Sequence, residues 1–163
     1  MEKDHIELNL ALEEKAREKI ADVLHQLLAS MYGLYLKTQN YHWNVTGLSF
    51  PSLHALFQSQ YEELAEAIDE VAERIRALGF FPQGALGTFL KLSLVKDETK
   101  VRSPVEMVTF LLEDNQRVVT FMHAHLQEIE KTGDGATADL INKRLAVHEK
   151  AAWILRSIVS QIK

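Results

Sequence analysis

The sequence predicts an all-α fold: a four-helix bundle of two helical hairpins, with a short extra helix in the long crossover between helices 2 and 3. Three observations predict it. Glycine (7) and proline (3) are scarce in a chain of 163 residues, so little interrupts a long helix. Apolar residues recur at spacings of three and four in four long segments. Between the second and third of these, residues 80–102 lose that rhythm for longer than a hairpin turn requires.

The first helix is expected over residues 8–41. Leu24, Leu27, Leu28, Met31, Leu34 and Tyr35 share one apolar face, His42 follows at its end, and Asn44-Val45-Thr46-Gly47 provides the stop. The second starts near Pro51, a residue tolerated in a first helical turn, and ends at Gly79. Its buried stripe is Leu53, Leu56, Phe57, Leu64, Ile68, Val71, Ile75 and Leu78. Within the crossover, residues 85–92 suit a short helix. The third helix opens on Ser103-Pro104-Val105-Glu106, which combines an N-cap, a proline at the first helical position and a capping-box glutamate, and it continues to about Lys131. Gly133-Asp134-Gly135 breaks the chain. The fourth helix then runs to about Ser160 and carries Leu140, Ile141, Leu145, Ile154, Leu155 and Ile158.

An up-down-up-down bundle needs no connection as long as residues 80–102. A ferritin-like four-helix bundle does. The chain is long enough to bury a core without staples, and residues 1–163 are expected to form one such domain with a short N-terminal tail.

Composition removes several function classes. With no cysteine, disulfides, thiolate zinc sites, iron–sulfur clusters and Cys nucleophiles are excluded. Met1-Glu2-Lys3-Asp4-His5 is polar, without the apolar stretch of an export signal, and no run approaches the roughly 20 apolar residues of a membrane span. A cytoplasmic location is expected, with nucleoid association as its variant. The formal charge of −5 opposes non-specific contact with phosphates and favours cations. Phosphate-cradling glycine loops and nucleophile elbows are missing. Asn44-Val45-Thr46 fits a glycosylation acceptor, but without an export signal the match has no consequence.

The second helix carries more acid than folding requires: Glu62, Glu63, Glu66, Asp69, Glu70 and Glu73, with Arg74 and Arg76 as nearby bases. Asp69 and Glu73 stand four residues apart on one face, where like charges repel unless a cation lies between them. As a plain solvated face, the run would pair Glu70 with Arg74. Two histidines favour a metal instead. His42 and His54 flank the turn between the first two helices, and imidazole with carboxylate suits a first-row metal such as iron. Such ligands also accept zinc or manganese in its place. No predicted helix holds the Glu-x-x-His motif of an intra-bundle di-iron centre; Glu2 and His5 have the spacing only in the tail.

Geometry then restricts the site. His54 and Asp69 are fifteen residues apart on one helix, about 22 Å at 1.5 Å per residue. One chain cannot bring them to one metal. Two copies of the second helix, antiparallel across a two-fold axis near Glu62, can. Each dimer would hold two centres, each with His42 and His54 from one chain and Asp69 and Glu73 from the other.

Tyr41-His42-Trp43-Asn44-Val45-Thr46-Gly47, then Phe50 and His54, then Ile68-Asp69-Glu70-Val71-Ala72-Glu73-Arg74 resembles the signature of the Dps family of bacterial miniferritins, the DNA-protection-during-starvation proteins. Val147-His148-Glu149-Lys150-Ala151-Ala152-Trp153 is also similar. The resemblance implies a twelve-subunit hollow shell, di-iron ferroxidase centres at dimer interfaces with ligands at His42, His54, Asp69 and Glu73, hydrogen peroxide as oxidant, and ferric mineral stored inside. It implies an oxidative-stress defence as well as an iron store. One position departs. Four residues after the second histidine the family has Asp or Glu, and this chain has Gln58, a neutral and weaker ligand. Gln58 and Glu62 are therefore further candidates at a second iron position.

DNA binding by the family runs through lysine-rich tails. Here Lys3 stands among Glu2, Asp4, Glu7, Glu13 and Glu14, the C-terminus offers only Lys163, and twelve chains would carry roughly −60 charges. The loop bases Lys91, Lys96, Lys100 and Arg102 are diluted by Asp97 and Glu98. The charge argues against DNA, so a nucleoid-protecting protein with iron oxidation secondary is the alternative function. A structural cage with a decayed site, hinted at by Gln58, is a third.

Other residues have two readings. Asp134 and Asp139 either line an acidic pore for iron entry or cap the fourth helix. Tyr41, Trp43 and Trp153 either quench radicals or, as the favoured reading, pack in the core. His123 and His125 point about 200° apart on a helix and cannot chelate together. His25 and His148 are expected to pack or hydrogen-bond.

Overall fold

Each apolar stripe becomes the buried face of a helix in the computed structural model, which describes residues 3–4 and 8–160. Glu2, His5, Glu7 and Lys163, which figure in the sequence reading, lie outside the described residues. The helices are α1 (Glu14–Asn44), α2 (Phe50–Ala77), α3 (Leu86–Leu92), α4 (Pro104–Lys131) and α5 (Gly135–Val159). Short turns fold α1 onto α2 and α4 onto α5, so each pair forms an antiparallel hairpin. The two hairpins meet chiefly through α1 and α4, and α3 lies in the crossover against α1. All four long helices feed one core, in which Leu24, Leu28, Phe57, Val71, Leu111, Val118, Ile141 and Leu155 are buried. Burying each such side chain stabilises the fold by about 1.5–3 kcal/mol.

The helix ends follow from local chemistry. Ser103 and Glu106 form the expected capping box at α4. Gly79 adopts φ +94° after α2, a conformation in which a side chain is strained. A Cβ at Gly79 would also come within 2.2 Å of Leu8, which lies across that turn.

α1 starts six residues later than its apolar pattern suggests, at Glu14 rather than near residue 8. Ala11 has φ +54°, which a helix does not accept. The preceding chain is used to close the far end of α2 instead. Asp4 donates its N–H to the Gly79 carbonyl at 3.0 Å, Lys3 bridges to Phe80, and Arg17 Nη1 donates to the Leu78 carbonyl at 2.7 Å. Among the described residues no helix is long and apolar enough to cross a membrane.

Candidate metal centre

The five residues between α1 and α2 return the chain so tightly that His42, in the last turn of α1, faces His54, in the second turn of α2. Their rings stack with centroids 3.7 Å apart and planes 21° from parallel. Each holds the other's backbone. His42 Nδ1 lies 2.9 Å from the His54 carbonyl oxygen, and His54 Nδ1 lies 2.9 Å from the His42 carbonyl oxygen. The His42 carbonyl belongs to the last four of α1, which lack helical partners, so this bond also caps the helix. A carbonyl oxygen only accepts, so both Nδ1 atoms carry their protons, and in the neutral ring each Nε2 is the atom with the lone pair. That is the tautomer a metal-binding imidazole needs, with its orientation set by the other nitrogen. Phe50 covers His54 at 4.9 Å and Tyr61 meets the His42 ring edge-on at 5.3 Å.

Asp69 and Glu73 stand at the other end of the same continuous helix, about 22 Å from His54 by helical rise. Both are exposed. Among the described residues no three His, Asp or Glu side chains converge on a point where they would hold a metal. Asp69 borders an open groove of about 690 Å³ formed with Leu28, Tyr32 and Phe89 from α1 and α3. Gln58 is exposed one turn after His54, and its amide nitrogen donates to Glu62 at 2.7 Å, leaving the Gln58 amide oxygen as an acceptor.

Within the acidic run on α2, some carboxylates are paired with α5 and others are not. Glu63 is 2.5 Å from Arg144, and Glu70 is 2.7 Å from Lys143, both bases coming from α5. Asp69 and Glu73 have no hydrogen bond or ion pair among the described residues. The Glu70–Arg74 pair that a plain solvated face would carry does not form. Arg74 turns instead to Asp134, at 2.6 Å, and to the Thr137 hydroxyl, at 2.8 Å. A buried charged acceptor outcompetes an exposed one at i,i+4, whose pairing contributes only a few tenths of a kcal/mol.

Of the two readings of Asp134, capping describes its side chain. It is 3% exposed, accepts from the Thr137 N–H at 3.0 Å, and caps α5. Burial alone would raise its carboxyl, but hydrogen bonds from Arg74 and Thr137 and the Arg74 charge together hold it below the ordinary aspartate value. Asp139 is exposed on α5.

The tryptophans are not core residues: Trp43 is 62% exposed and Trp153 58%. Helical spacing predicts core packing for both, but both fall on the outward face. Tyr41 does pack, and its hydroxyl reaches Glu98 at 3.5 Å. Burial first, then the Glu98 charge, push its phenol upward. Tyr61 was missed, although it lies seven residues after His54 and so shares its helix face. His25 is buried and bonded to the Ala21 carbonyl at 2.6 Å, while His123 meets Glu149 at the surface at 3.0 Å. His148 is buried against Asn115.

Residues 21–163 match the family model of the ferritin-like domain. A low temperature-induced protein of Nostoc is 37% identical over 93% of the chain and 86% of its own length. DNA protection during starvation protein 1 of Deinococcus radiodurans is 34% identical over 91% of the chain and 72% of its own length. Among solved structures, the Dps protein of Vibrio cholerae, described as one of a broad superfamily of ferritin-like diiron-carboxylate proteins, superposes with a TM-score of 0.89 at 30% identity. The match covers 96% of this chain and 99% of that one. Fold and comparisons together define the class as ferritin-like. Within it, the chain belongs to the Dps family of miniferritins.

Proposed function

We propose that this single-domain protein oxidises ferrous iron with hydrogen peroxide at inter-subunit centres and stores the ferric product inside a hollow shell of its own copies. The carrying observation is the His42–His54 corner, where two locked imidazoles present two free Nε2 atoms, while Asp69 and Glu73, about 22 Å away on the same helix, have no partner among the described residues. A second copy, with its α2 antiparallel across a two-fold axis, completes both sites of a dimer. The partner's histidine corner then docks into the groove beside Asp69. The family likeness supports twelve copies for that shell.

Iron is the substrate of this reaction. Two ferrous ions release two electrons to one peroxide; its O–O bond breaks and, with two protons taken up, two waters form. Hydroxyl radical is avoided because both electrons arrive at one centre. The chain's own contribution is positional. Neutral imidazoles bind without a proton to lose, the carboxylates balance the growing ferric charge, and reciprocal hydrogen bonds keep the rings from turning. Gln58, in place of a carboxylate, weakens the second iron position. Asp139 is the remaining candidate for an entry pore, since the Asp134 carboxylate is engaged within its own chain.

The test follows peroxide-dependent ferrous oxidation by absorbance in the wild type and in His54→Ala. The expected loss is at least about a hundredfold, since disturbing even the groups behind a metal's ligands costs up to that much. Equal rates would remove the site. A DNA-coating role is the second reading, favoured by the name of the Deinococcus radiodurans relative. The charge of −5 per chain predicts no shift of duplex DNA in a gel at low salt.

A further inference from the structure

α2 and α5 are neighbours in the bundle but pack far less closely on each other than α1 packs on α2 or α4 on α5. Between them opens a cleft of about 410 Å³, walled by Leu34, Leu56, Leu64 and Ile154. Its lining is mainly apolar, yet two buried polar atoms on it have no hydrogen-bond partner: His148 Nε2 and Gln60 Nε2. Leaving such an atom unmet costs about 1–3 kcal/mol, and native structures rarely tolerate it without a reason.

The role of each atom is defined by its surroundings. Asn115 donates its amide nitrogen to the Leu111 carbonyl at 2.8 Å, so its Oδ1, 2.9 Å from His148 Nδ1, is an acceptor. His148 Nδ1 therefore carries the proton and Nε2 is a bare lone pair. Burial first, then the nearby Arg144 charge, push His148 down to about 3, so the ring stays neutral. The Gln60 amide nitrogen can only donate. One acceptor and one donor thus wait on an apolar wall. Charged occupants are disfavoured. The Arg144 guanidinium, bonded through Nη2 to Glu63 at 2.5 Å, repels a metal cation, and the bare lone pair of His148 Nε2 repels an anion.

We infer that this cleft is a binding site for a neutral small molecule with an apolar body and one hydroxyl group. The hydroxyl donates to His148 Nε2 and its oxygen accepts from the Gln60 amide. A benzene ring fills a cavity of about 150 Å³, so a volume near 410 Å³ takes a ring with a short chain. The site is separate from the iron ligands and needs none of them.

Titration calorimetry on the full-length protein in its native assembly tests this with 4-propylphenol and 4-propylanisole, which differ in the one proton that His148 would accept. The phenol is expected to saturate one site per chain and to bind at least about tenfold tighter than the ether. His148→Phe keeps the volume and should erase that preference. Gln60→Leu, at the edge of the cleft, should reduce it and serves where the histidine variant does not fold. Absence of saturable phenol binding, equal affinity for the ether, or a preference unchanged in the folded variants would overturn the inference.

Discussion

Inside the bundle, Lys37 and Asp114 meet at 2.6 Å, with side chains 8% and 3% exposed, and Arg74 holds Asp134 at the same distance. Along the outer face of α2, Asp69 and Glu73 repel each other at i,i+4 with no partner among the described residues. The interior charges are bound to one another because desolvation makes an unpaired one costly. The outer pair has water, so folding imposes no such requirement, and like charges at that spacing even destabilise the helix slightly. Internal pairing marks groups that serve the bundle. Its absence at Asp69 and Glu73, on the same helix as a histidine corner with free lone pairs, is what the proposed shared site would require of groups that serve something outside the chain.

Substitution separates the two regions. Asp114→Ala strands Lys37 in the interior and should cost about 3–5 kcal/mol in chemical unfolding. Asp69→Ala should stay within about 0.5 kcal/mol, as surface changes do. Similar costs for the two would erase the distinction.

Asp134→Ala removes both a helix cap and the partner of Arg74, an expected loss of about 2–3 kcal/mol. Its pH dependence has a definite sign. The folded carboxyl lies below the ordinary value of 3.8, so its contribution is complete above that pH and fades as pH falls through the lowered folded value. Wild type and variant should therefore converge in strong acid, and a gap that widens there would contradict the pairing.

The smallest effect concerns Gln58. Gln58→Glu supplies the carboxylate expected at the second iron position, and ferrous affinity there should rise about fivefold, near 1 kcal/mol. Calorimetry with unchanged stoichiometry and affinity would show that the amide is no weak point.

The helices were legible because Leu24, Leu28, Val71 and their like repeat with the period of a turn, and because Ser103-Pro104-Val105-Glu106 announces its own cap. Residues 8–13 misled because Leu8 packs across Gly79, a tertiary use that periodicity cannot reveal. The identities of His42, His54, Asp69 and Glu73 as candidates could be read from the chain, as could the distance separating them. Partners from α5 could not. Nothing local says that Lys143 and Arg144 reach Glu70 and Glu63, or that Arg74 prefers Asp134 to Glu70. Nor does spacing reveal that two imidazoles each hold the other's carbonyl, the feature that frees both Nε2 atoms.

The central claim is that each centre draws its histidines from one copy and its carboxylates from another. Co-assembling His54→Ala with Asp69→Ala, each inactive alone, tests it most directly. In a mixed dimer one centre receives both substitutions and the other receives neither. With equal, random pairing, ferrous oxidation by peroxide should return to about a quarter of the wild-type rate. No recovery in assemblies shown to be mixed would contradict a site shared between copies.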